Sequence, residues 1–300
     1  MVAIPKNTLT PTVAAIYQSY EDKREPQRGH LGGSLIGREC ERELWFGFHW
    51  VTVVNHKGRL LRLFLRGQNE EATFEDELRA AGVEVRTIDP ETGKQFRVSA
   101  VGGHFAGSLD GRGLGIIEAP KTEHVLEFKT HGEKSYKLLI KDGVEKSKPE
   151  HYAQTQVYML LTGLTRAFYL SVNKNTDDLY SERIKIDKAF AESLIDKATR
   201  IITSTEPPKK ISNDPSWFKC KFCDFSDVCH GNKLIDQNCR TCQHASPILN
   251  GNADWVCAKQ DNDKIPFEFQ RKGCDEYALH ASLGGSDNPF AALKKSSEQG

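Results

Sequence analysis

The stretch that decides the fold runs from Gly102 to Thr130 and reads GGHFAGSLDGRGLGIIEAPKTEHVLEFKT. Asp110 ends a short run of alternating apolar residues, and Glu127 and Lys129 lie two positions apart in a second such run. Side chains on a strand alternate between its faces, so Glu127 and Lys129 are predicted to share one face while Phe128 points into the core. The Gly-rich link and the E-A-P-K turn predict a hairpin-like connection that brings Asp110 alongside them.

Two carboxylates and one ammonium in a small pocket are a pattern that favours metal chemistry. Hard divalent cations such as Mg²⁺ take oxygen ligands from one or two carboxylates together with substrate phosphate and water. A nearby lysine can orient or deprotonate a water and stabilise developing charge. The alternative is a surface hairpin with solvated charges, because charge alternation on exposed strands is common. The position of the E-x-K triplet inside the apolar run V-L-E-F-K-T favours the pocket.

The sequence G-S-L-D-G around Asp110, followed by L-E-F-K-T with Glu127 and Lys129, resembles the core of the PD-(D/E)XK nuclease superfamily, and within it the RecB-like nucleases. The resemblance implies an α/β fold with a mixed central sheet flanked by helices, the restriction-endonuclease-like core. It also implies that Asp110 and Glu127 bind a catalytic Mg²⁺ or Mn²⁺, with the backbone carbonyl of Phe128 as a further ligand. Lys129 is then the catalytic lysine.

Two further elements match the same family. Gly67 and Glu71 fit its G-x-x-x-E/H element, in which the acidic or His residue lies near the metal. The alternatives are that Glu71 belongs to a solvated helical face, and that His30 approaches the site instead. Gln154 and Tyr158 lie one helical turn apart and so share a face. They match the Q-x-x-x-Y helix that lines the active site of RecB-like nucleases.

The first group of cysteines predicts a metal centre. The chain has eight cysteines, and in a reducing cytosol clustered cysteines are more often metal ligands than disulfides. Residues 217–229 read WFKCKFCDFSDVC, a C-x2-C-x5-C array. Four-cysteine ligation suits zinc or an iron–sulfur cluster on chemistry alone. One cysteine before the core and three after it resembles the iron–sulfur members of the superfamily. The resemblance implies a [4Fe-4S] cluster that staples the two ends of the domain and is held by Cys40, Cys220, Cys223 and Cys229.

The second group has the spacing C-x2-C-x14-C-x16-C, an imperfect zinc ribbon. Four cysteines remain once the first group is filled, and a structural zinc site takes four ligands. The pattern predicts a small Zn²⁺ module that is purely structural or contacts DNA or a partner, with free thiols as the alternative. His244 is a candidate substitute ligand. The four cysteines are Cys239, Cys242, Cys257 and Cys274.

The chain is thus predicted to divide into a nuclease domain with its iron–sulfur cluster over 1–235, a zinc-ribbon-like module over 236–280 and a disordered tail over 281–300. Periodicity inside the first segment predicts a helix that begins near Ser34 and includes Cys40. It also predicts helices over 11–24, 59–81 and 188–203 and strands over 83–88 and 95–101.

The formal net charge is zero, so contact with DNA must depend on local basic patches. One candidate patch is the run over 131–150, whose lysines guide a phosphate backbone or form a solvated face. The lysines of the run over 131–150 are Lys134, Lys137, Lys141, Lys146 and Lys148.

No apolar run approaches a membrane span and no signal-peptide pattern opens the chain, which predicts a cytosolic protein of a prokaryotic or phage-infected cell.

The resemblance implies a metal-dependent DNA nuclease, a phosphodiester hydrolase. Relatives most often act as exonucleases on DNA ends or single strands in recombination, repair or phage DNA metabolism. The alternative is a DNA-end-binding subunit of a recombination or CRISPR-adaptation complex, with weak or secondary nuclease activity and a recombination protein as partner. A third hypothesis is a zinc-based structural protein. The sequence has no G-x-x-x-x-G-K-[ST] loop, so no helicase motor is inferred.

Overall fold

The computed structural model describes residues 9–283. Of the tail predicted over 281–300, only 281–283 are described, and they form the 3₁₀ turn Ala281–Leu283. The rest of that predicted tail lies outside the described residues.

The helices are α1 (Pro11–Asp22), α2 (Glu41–Phe48), α3 (Gly58–Ala80), α4 (Glu133–Ser147), α5 (Pro149–Thr162), α6 (Lys188–Thr203), α7 (Phe218–Lys221), α8 (Ser226–Cys229) and α9 (Phe267–Gln270). The strands are β1 (Leu31–Gly32), β2 (Glu84–Arg86), β3 (Ile88–Asp89), β4 (Lys94–Gln95), β5 (Arg97–Ala100), β6 (Phe105–Ser108), β7 (Gly111–Leu114), β8 (His124–His131), β9 (Arg166–Asn173), β10 (Leu179–Lys185), β11 (Ala245–Pro247), β12 (Trp255–Cys257) and β13 (Asp263–Lys264). Further 3₁₀ turns are Gly33–Leu35, Val101–Gly103 and Cys239–Thr241.

The central sheet has five strands in the order β10-β9-β8-β7-β2. The pair β8–β9 is parallel and the other pairs are antiparallel. Helices α3 and α5 both contact β8. The predicted mixed central sheet flanked by helices is therefore confirmed.

Strand β8 is buried at most of its positions because helices cover both of its faces. Leu126 and Phe128 belong to a hydrophobic cluster that includes Phe74 of α3. Val125, on the other face, belongs to a cluster that includes Val157 of α5. The period of two in a strand explains this division, and it places Glu127 and Lys129 under α5.

A smaller sheet lies beside the central one, in the order β1-β6-β5. Strand β1 runs parallel to β6, with Leu31 paired to Phe105. Strand β6 leads directly to Asp110. The segment that ends in β1 is therefore held next to the chain that carries the first predicted carboxylate.

The C-terminal cysteine-rich segment folds into a three-stranded sheet, β11-β12-β13. Its Trp255 is 1% exposed and belongs to the same hydrophobic cluster as Phe48 of α2. The Arg240 guanidinium lies 3.7 Å from the ring centroid of Trp50 and 4.9 Å from that of Trp255. It also donates a 3.0 Å hydrogen bond to the Phe48 carbonyl. This segment thus shares a continuous core with the N-terminal helices.

One predicted helix is wrong. Gly33–Leu35 form a 3₁₀ turn, and α2 begins only at Glu41, so Cys40 is the residue before the helix rather than a member of it. The reason is a close approach, because a Cβ at Gly37 would lie 2.6 Å from Cα of Glu150 in α5. The chain passes beneath α5 as a turn at this point.

The other predicted helices are confirmed, except that α1 ends at Asp22 instead of residue 24. The strands expected over 83–88 and 95–101 appear as β2 with β3 and as β4 with β5. None of the helices formed by residues 9–283 has the length and apolar character that a membrane crossing requires.

Candidate active site

Asp110 occupies the corner between β6 and β7, where Gly111 pairs with Leu126 of β8. The backbone amide of Phe128 donates a 2.7 Å hydrogen bond to Oδ2 of Asp110. The hairpin-like connection predicted from the sequence therefore forms, and it delivers this carboxylate to the middle of β8.

Glu127 is fully buried, and both of its carboxylate oxygens have partners. The Lys129 ammonium donates to Oε1 of Glu127 and, at 3.0 Å, to the carbonyl of Phe128. Nε2 of Gln154 on α5 donates to Oε2 of Glu127 at 3.0 Å. The E-x-K triplet and the predicted polar helix thus meet at one carboxylate, whose orientation is fixed from two sides.

Glu71 joins this cluster from α3. Burial and the charge of Asp110 together raise its pKa to about 7, against the opposing charge of Lys129. His30 lies elsewhere, in the lining of a cavity beside α9. Glu71 and His30 were the two candidates for a further residue near the metal, and of these the structure brings Glu71 to the carboxylates.

The electrostatics of the cluster are unbalanced. Burial raises the pKa of Asp110 and of Glu127, and in each case the Lys129 charge acts in the opposite direction. Burial lowers the pKa of Lys129, but Glu127 and Asp110 outweigh burial and raise it overall. Three carboxylates face one ammonium, so an added cation is the natural counter-charge.

Within residues 9–283, no group of three or more His, Cys, Asp and Glu side chains is placed so that it could hold a metal ion. The predicted donor set has only two such side chains, Asp110 and Glu127, because its third donor is the backbone carbonyl of Phe128. This donor set still fits Mg²⁺ or Mn²⁺, because Mg²⁺ commonly takes one or two carboxylates and completes its shell with water and phosphate.

Tyr158 closes the site on the side of β1 and β6. A Cβ at Gly107 would lie 2.2 Å from the Tyr158 hydroxyl, and one at Gly33 would lie 2.8 Å from the ring. These two positions must therefore lack a side chain for the ring to fit. Burial and the charges of Glu127 and Asp110 raise the pKa of Tyr158, so its hydroxyl stays a hydrogen-bond donor.

Two histidines beside Lys129 were missed by the sequence reasoning. The Tyr169 hydroxyl lies 2.8 Å from Nε2 of His131 and 2.9 Å from Nδ1 of His151. Burial lowers the pKa of His131 to about 4 and that of His151 to about 2, and Lys129 contributes to both shifts. The signal was present, because E-x-K-x-H continues the alternation of β8 and His151 lies one turn before Gln154.

Most of the lysine-rich run forms α4, the helix that follows β8. Its Lys137 pairs with Glu133 at 2.7 Å, four residues away on the same helix. Lys148, just after the helix, donates to the carbonyl of Ser135 at 3.1 Å. Contact between these lysines and DNA stays a prediction.

The first cysteine group lines one cavity of about 390 Å³ between α2, α7 and α8. Burial, together with the charges of Glu43 and Cys40, raises the pKa of Cys223 to about 12. Cys40 therefore lines the same cavity as the downstream array, although no three of these thiols are placed so that they could hold a metal ion. The cavity is lined by Cys40, Cys220, Cys223 and Cys229.

The second cysteine group lines a cavity of about 20 Å³. Burial and the neighbouring cysteines raise the pKa of Cys239 to about 11. His244, the candidate substitute ligand, also lines this cavity, and its ligand role stays a prediction. The four cysteines that meet here are Cys239, Cys242, Cys257 and Cys274.

The sequence matches no family model and no curated protein. Solved structures of similar arrangement include an alkaline exonuclease, LHK-Exo, from Laribacter hongkongensis, with 17% identity over 61% of this chain and 90% of that chain and a TM-score of 0.43. The same protein in complex with dAMP matches at 15% identity over 62% and 89% of the two chains, with a TM-score of 0.43. SSO0001 matches at 15% identity over 73% and 96%, with a TM-score of 0.42.

Proposed function

We propose that this chain is a metal-dependent DNA nuclease of the PD-(D/E)XK type, acting as an exonuclease on DNA ends or single strands. The observation that carries the proposal is the convergence of Asp110, Glu127 and Lys129 at β8, the middle strand of the central sheet. A surface hairpin with solvated charges would leave these groups exposed, whereas Glu127 is 0% exposed and the Lys129 side chain 24% exposed.

Asp110, Glu127 and the carbonyl of Phe128 would hold Mg²⁺ or Mn²⁺, with Glu71 close by. Such an ion, when bound, polarises the scissile phosphate and lowers the pKa of water. The residues of the chain then have distinct tasks. Lys129 keeps its proton because neighbouring carboxylates raise its pKa, so it acts as a donor that orients the attacking water and offsets charge on the phosphate.

Gln154 and Tyr158 are positioning residues in this proposal. Gln154 fixes one oxygen of Glu127 and leaves the other for Lys129 or a metal ion. The Tyr158 hydroxyl, held as a donor near Gly33 and Gly107, is placed to hydrogen-bond to a phosphate oxygen or a sugar. The buried imidazoles of His131 and His151 are neutral and exclude water from one side of Lys129.

We propose different occupants for the two cysteine cavities. A volume of about 390 Å³ has room for a [4Fe-4S] cluster held by Cys40 and the downstream array. A volume of about 20 Å³ has room for little more than one atom, which favours a single Zn²⁺. Both groups would be structural, because they tie distant segments of the chain together.

The proposal is tested with end-labelled linear DNA and circular DNA, each single- and double-stranded, in Mg²⁺ or Mn²⁺ and in a chelator. The protein is purified without oxygen to preserve a cluster. We expect loss of linear DNA only, dependent on the metal, with the labelled products giving the polarity. Cleavage of circular DNA would show that the protein is an endonuclease rather than an exonuclease. Binding to DNA ends without cleavage would favour an end-binding subunit of a recombination complex.

A further inference from the structure

A short strip of chain, residues 27–33, connects the candidate active site to the C-terminal module. At one end Gly33 packs against the ring of Tyr158. At the other, a Cβ at Gly29 would lie 2.5 Å from Cε2 of Phe267. Only four residue steps separate these glycines, so even a fully extended chain would span no more than about 13 Å between them. The strip therefore places α9 of the module near Tyr158 of the candidate active site.

Contacts from both sides hold the strip in place. Arg271 of the module donates to the carbonyl of Gln27, and Nε1 of Trp50 donates to the carbonyl of Arg28 at 2.8 Å. The amide of Leu31 donates to the carbonyl of His104, also at 2.8 Å. The module is thus fixed relative to the active site rather than tethered to it.

The short helix α9 presents two aromatic rings to solvent beside this strip. Phe267 is 45% exposed and Phe269 is 58% exposed. The Arg271 guanidinium lies 5.2 Å from the ring centroid of Phe267, and the Lys272 ammonium lies 5.8 Å from that of Phe269. Exposed rings with adjacent cations are the elements with which proteins bind unpaired bases and the phosphates between them.

A cavity of about 400 Å³ lies between α9 and the strip, lined by His30, Phe267 and Gln270 among others. Burial, with the nearby charges of Arg97 and Arg28, lowers the pKa of His30 to about 4, so this side chain is uncharged at neutral pH. The charged side chains of the lining, Asp254 and Lys264, pair with each other at 2.8 Å. The cavity therefore suits a flat, uncharged group such as a base, and the positive charges for phosphates come from Arg271 and Lys272 beside it.

We propose that α9 and the strip over 27–33 form a single-stranded DNA path in which Phe267 and Phe269 stack with bases on their way to the active site. The inference rests on the proposed nuclease function and adds a substrate form to it. A paired duplex hides the faces of its bases, so the path selects unpaired strands. The C-terminal module then has a role in the substrate path in addition to its contribution to the fold.

The test measures binding of oligo-dT of about 20 nucleotides and of a duplex of equal length by fluorescence anisotropy, in a Lys129→Ala background that prevents cleavage. We expect Phe269→Ala to weaken binding of oligo-dT about tenfold and to leave duplex binding unchanged. Phe222→Ala is the matched control, because Phe222 is 80% exposed and has Lys221 at 5.9 Å but lies at the first cysteine cavity. Equal loss on both probes, or no loss, would overturn the path.

A second readout does not depend on affinity. Oligo-dT with single 5-iodouracil substitutions is photo-crosslinked to the chain, and the crosslinked peptide is identified by mass spectrometry. Crosslinks to Phe267 or Phe269 are expected, and crosslinks confined to other segments contradict the path. If the unsubstituted protein degrades single strands while Phe269→Ala changes neither readout, only the path is lost. If the unsubstituted protein neither binds nor cuts DNA, the proposed nuclease function is contradicted as well.

Discussion

The amide of Phe128 donates a 2.7 Å hydrogen bond to the carboxylate of Asp110, and this contact joins the two segments that carry the site. The ring of Phe128 points to the opposite face, where its centroid lies 5.2 Å from that of Phe74 on α3. The position of Asp110 is therefore set by the packing of the core as well as by its own hairpin. Two substitutions separate its structural role from its chemical one.

Asp110→Asn keeps an oxygen that can accept from the amide but removes the charge. We expect it to stay folded, to bind Mn²⁺ more weakly and to lose activity by about 100-fold or more. Asp110→Ala removes the acceptor too and should be less stable than Asp110→Asn by about 1–3 kcal/mol, since the buried amide then lacks a partner. Urea unfolding and Mn²⁺ calorimetry check both. Equal stability of the two variants would show that the hydrogen bond contributes nothing.

Gln154→Ala should lower the turnover number about tenfold or more and leave the protein folded, because it frees one oxygen of Glu127. Gln156 is the matched control, two positions further along α5. It accepts from the amide of Asp187 at 2.7 Å and donates to the carbonyl of Lys185 at 3.0 Å. Gln156→Ala should reduce stability but not the activity per folded molecule. The positioning role of Gln154 would be contradicted if Gln154→Ala lowered only the melting temperature and Gln156→Ala lowered the turnover number.

Glu71 should make the metal-free protein less stable as the pH rises. The pKa of Glu71 is about 7 in the folded state, whereas the ordinary value for a glutamate is 4.5. The folded state therefore binds more protons than the unfolded state between these values, and stability falls as the pH passes through this window. Glu71→Gln should remove that part of the slope, and Mn²⁺ should oppose it in the unsubstituted protein. Parallel stability curves for the two proteins between pH 5 and 8 (a range of about three pH units) would refute this.

The two cysteine groups should lose different metals. Cys220→Ser should lower the iron content from about four atoms per chain and leave zinc unchanged. Cys242→Ser should remove about one zinc and leave iron unchanged. Elemental analysis of protein purified without oxygen distinguishes these outcomes. Zinc in both cysteine groups would contradict the proposal of an iron–sulfur cluster in the first.

Arg240→Ala should destabilise the protein by about 2–4 kcal/mol, because it removes a guanidinium buried among Trp50 and Trp255. The side chain also makes hydrogen bonds of 3.0 and 2.9 Å to Oε1 of Gln270. Arg240→Lys should not restore stability, since an ammonium lacks the planar fork. Urea unfolding should remain a single transition because the module and α2 share a core. Two transitions in urea, with the module unfolding separately, would contradict the shared core.

The local part of the site could be predicted from the sequence because it follows from strand periodicity. Alternation along β8 placed Glu127 and Lys129 together, and the glycine-rich turn implied the approach of Asp110. The failure at Cys40 has a tertiary cause, the close packing of Gly37 on α5. Local propensity does not contain such a contact.

The docking of the C-terminal module could not be predicted in the same way. The guanidinium of Arg240 meets the carbonyl of Phe48 across 192 positions of the chain. The strip against Phe267 depends on a similar long-range approach. Contacts of this kind leave no periodic signal in the sequence, so the module looked like an appended unit.

The most direct test of the central claim compares the unsubstituted protein with Lys129→Ala in two measurements, the single-turnover rate of DNA cleavage in Mn²⁺ and the affinity for DNA. Lys188→Ala serves as a control, because Lys188 is an exposed lysine paired with Glu192 on α6. We predict that Lys129→Ala cleaves at least about 100-fold more slowly, binds DNA with similar affinity and melts as a folded protein, while Lys188→Ala cleaves normally. Cleavage by Lys129→Ala at the unsubstituted rate, or DNA binding without cleavage by the unsubstituted protein, would contradict the nuclease assignment.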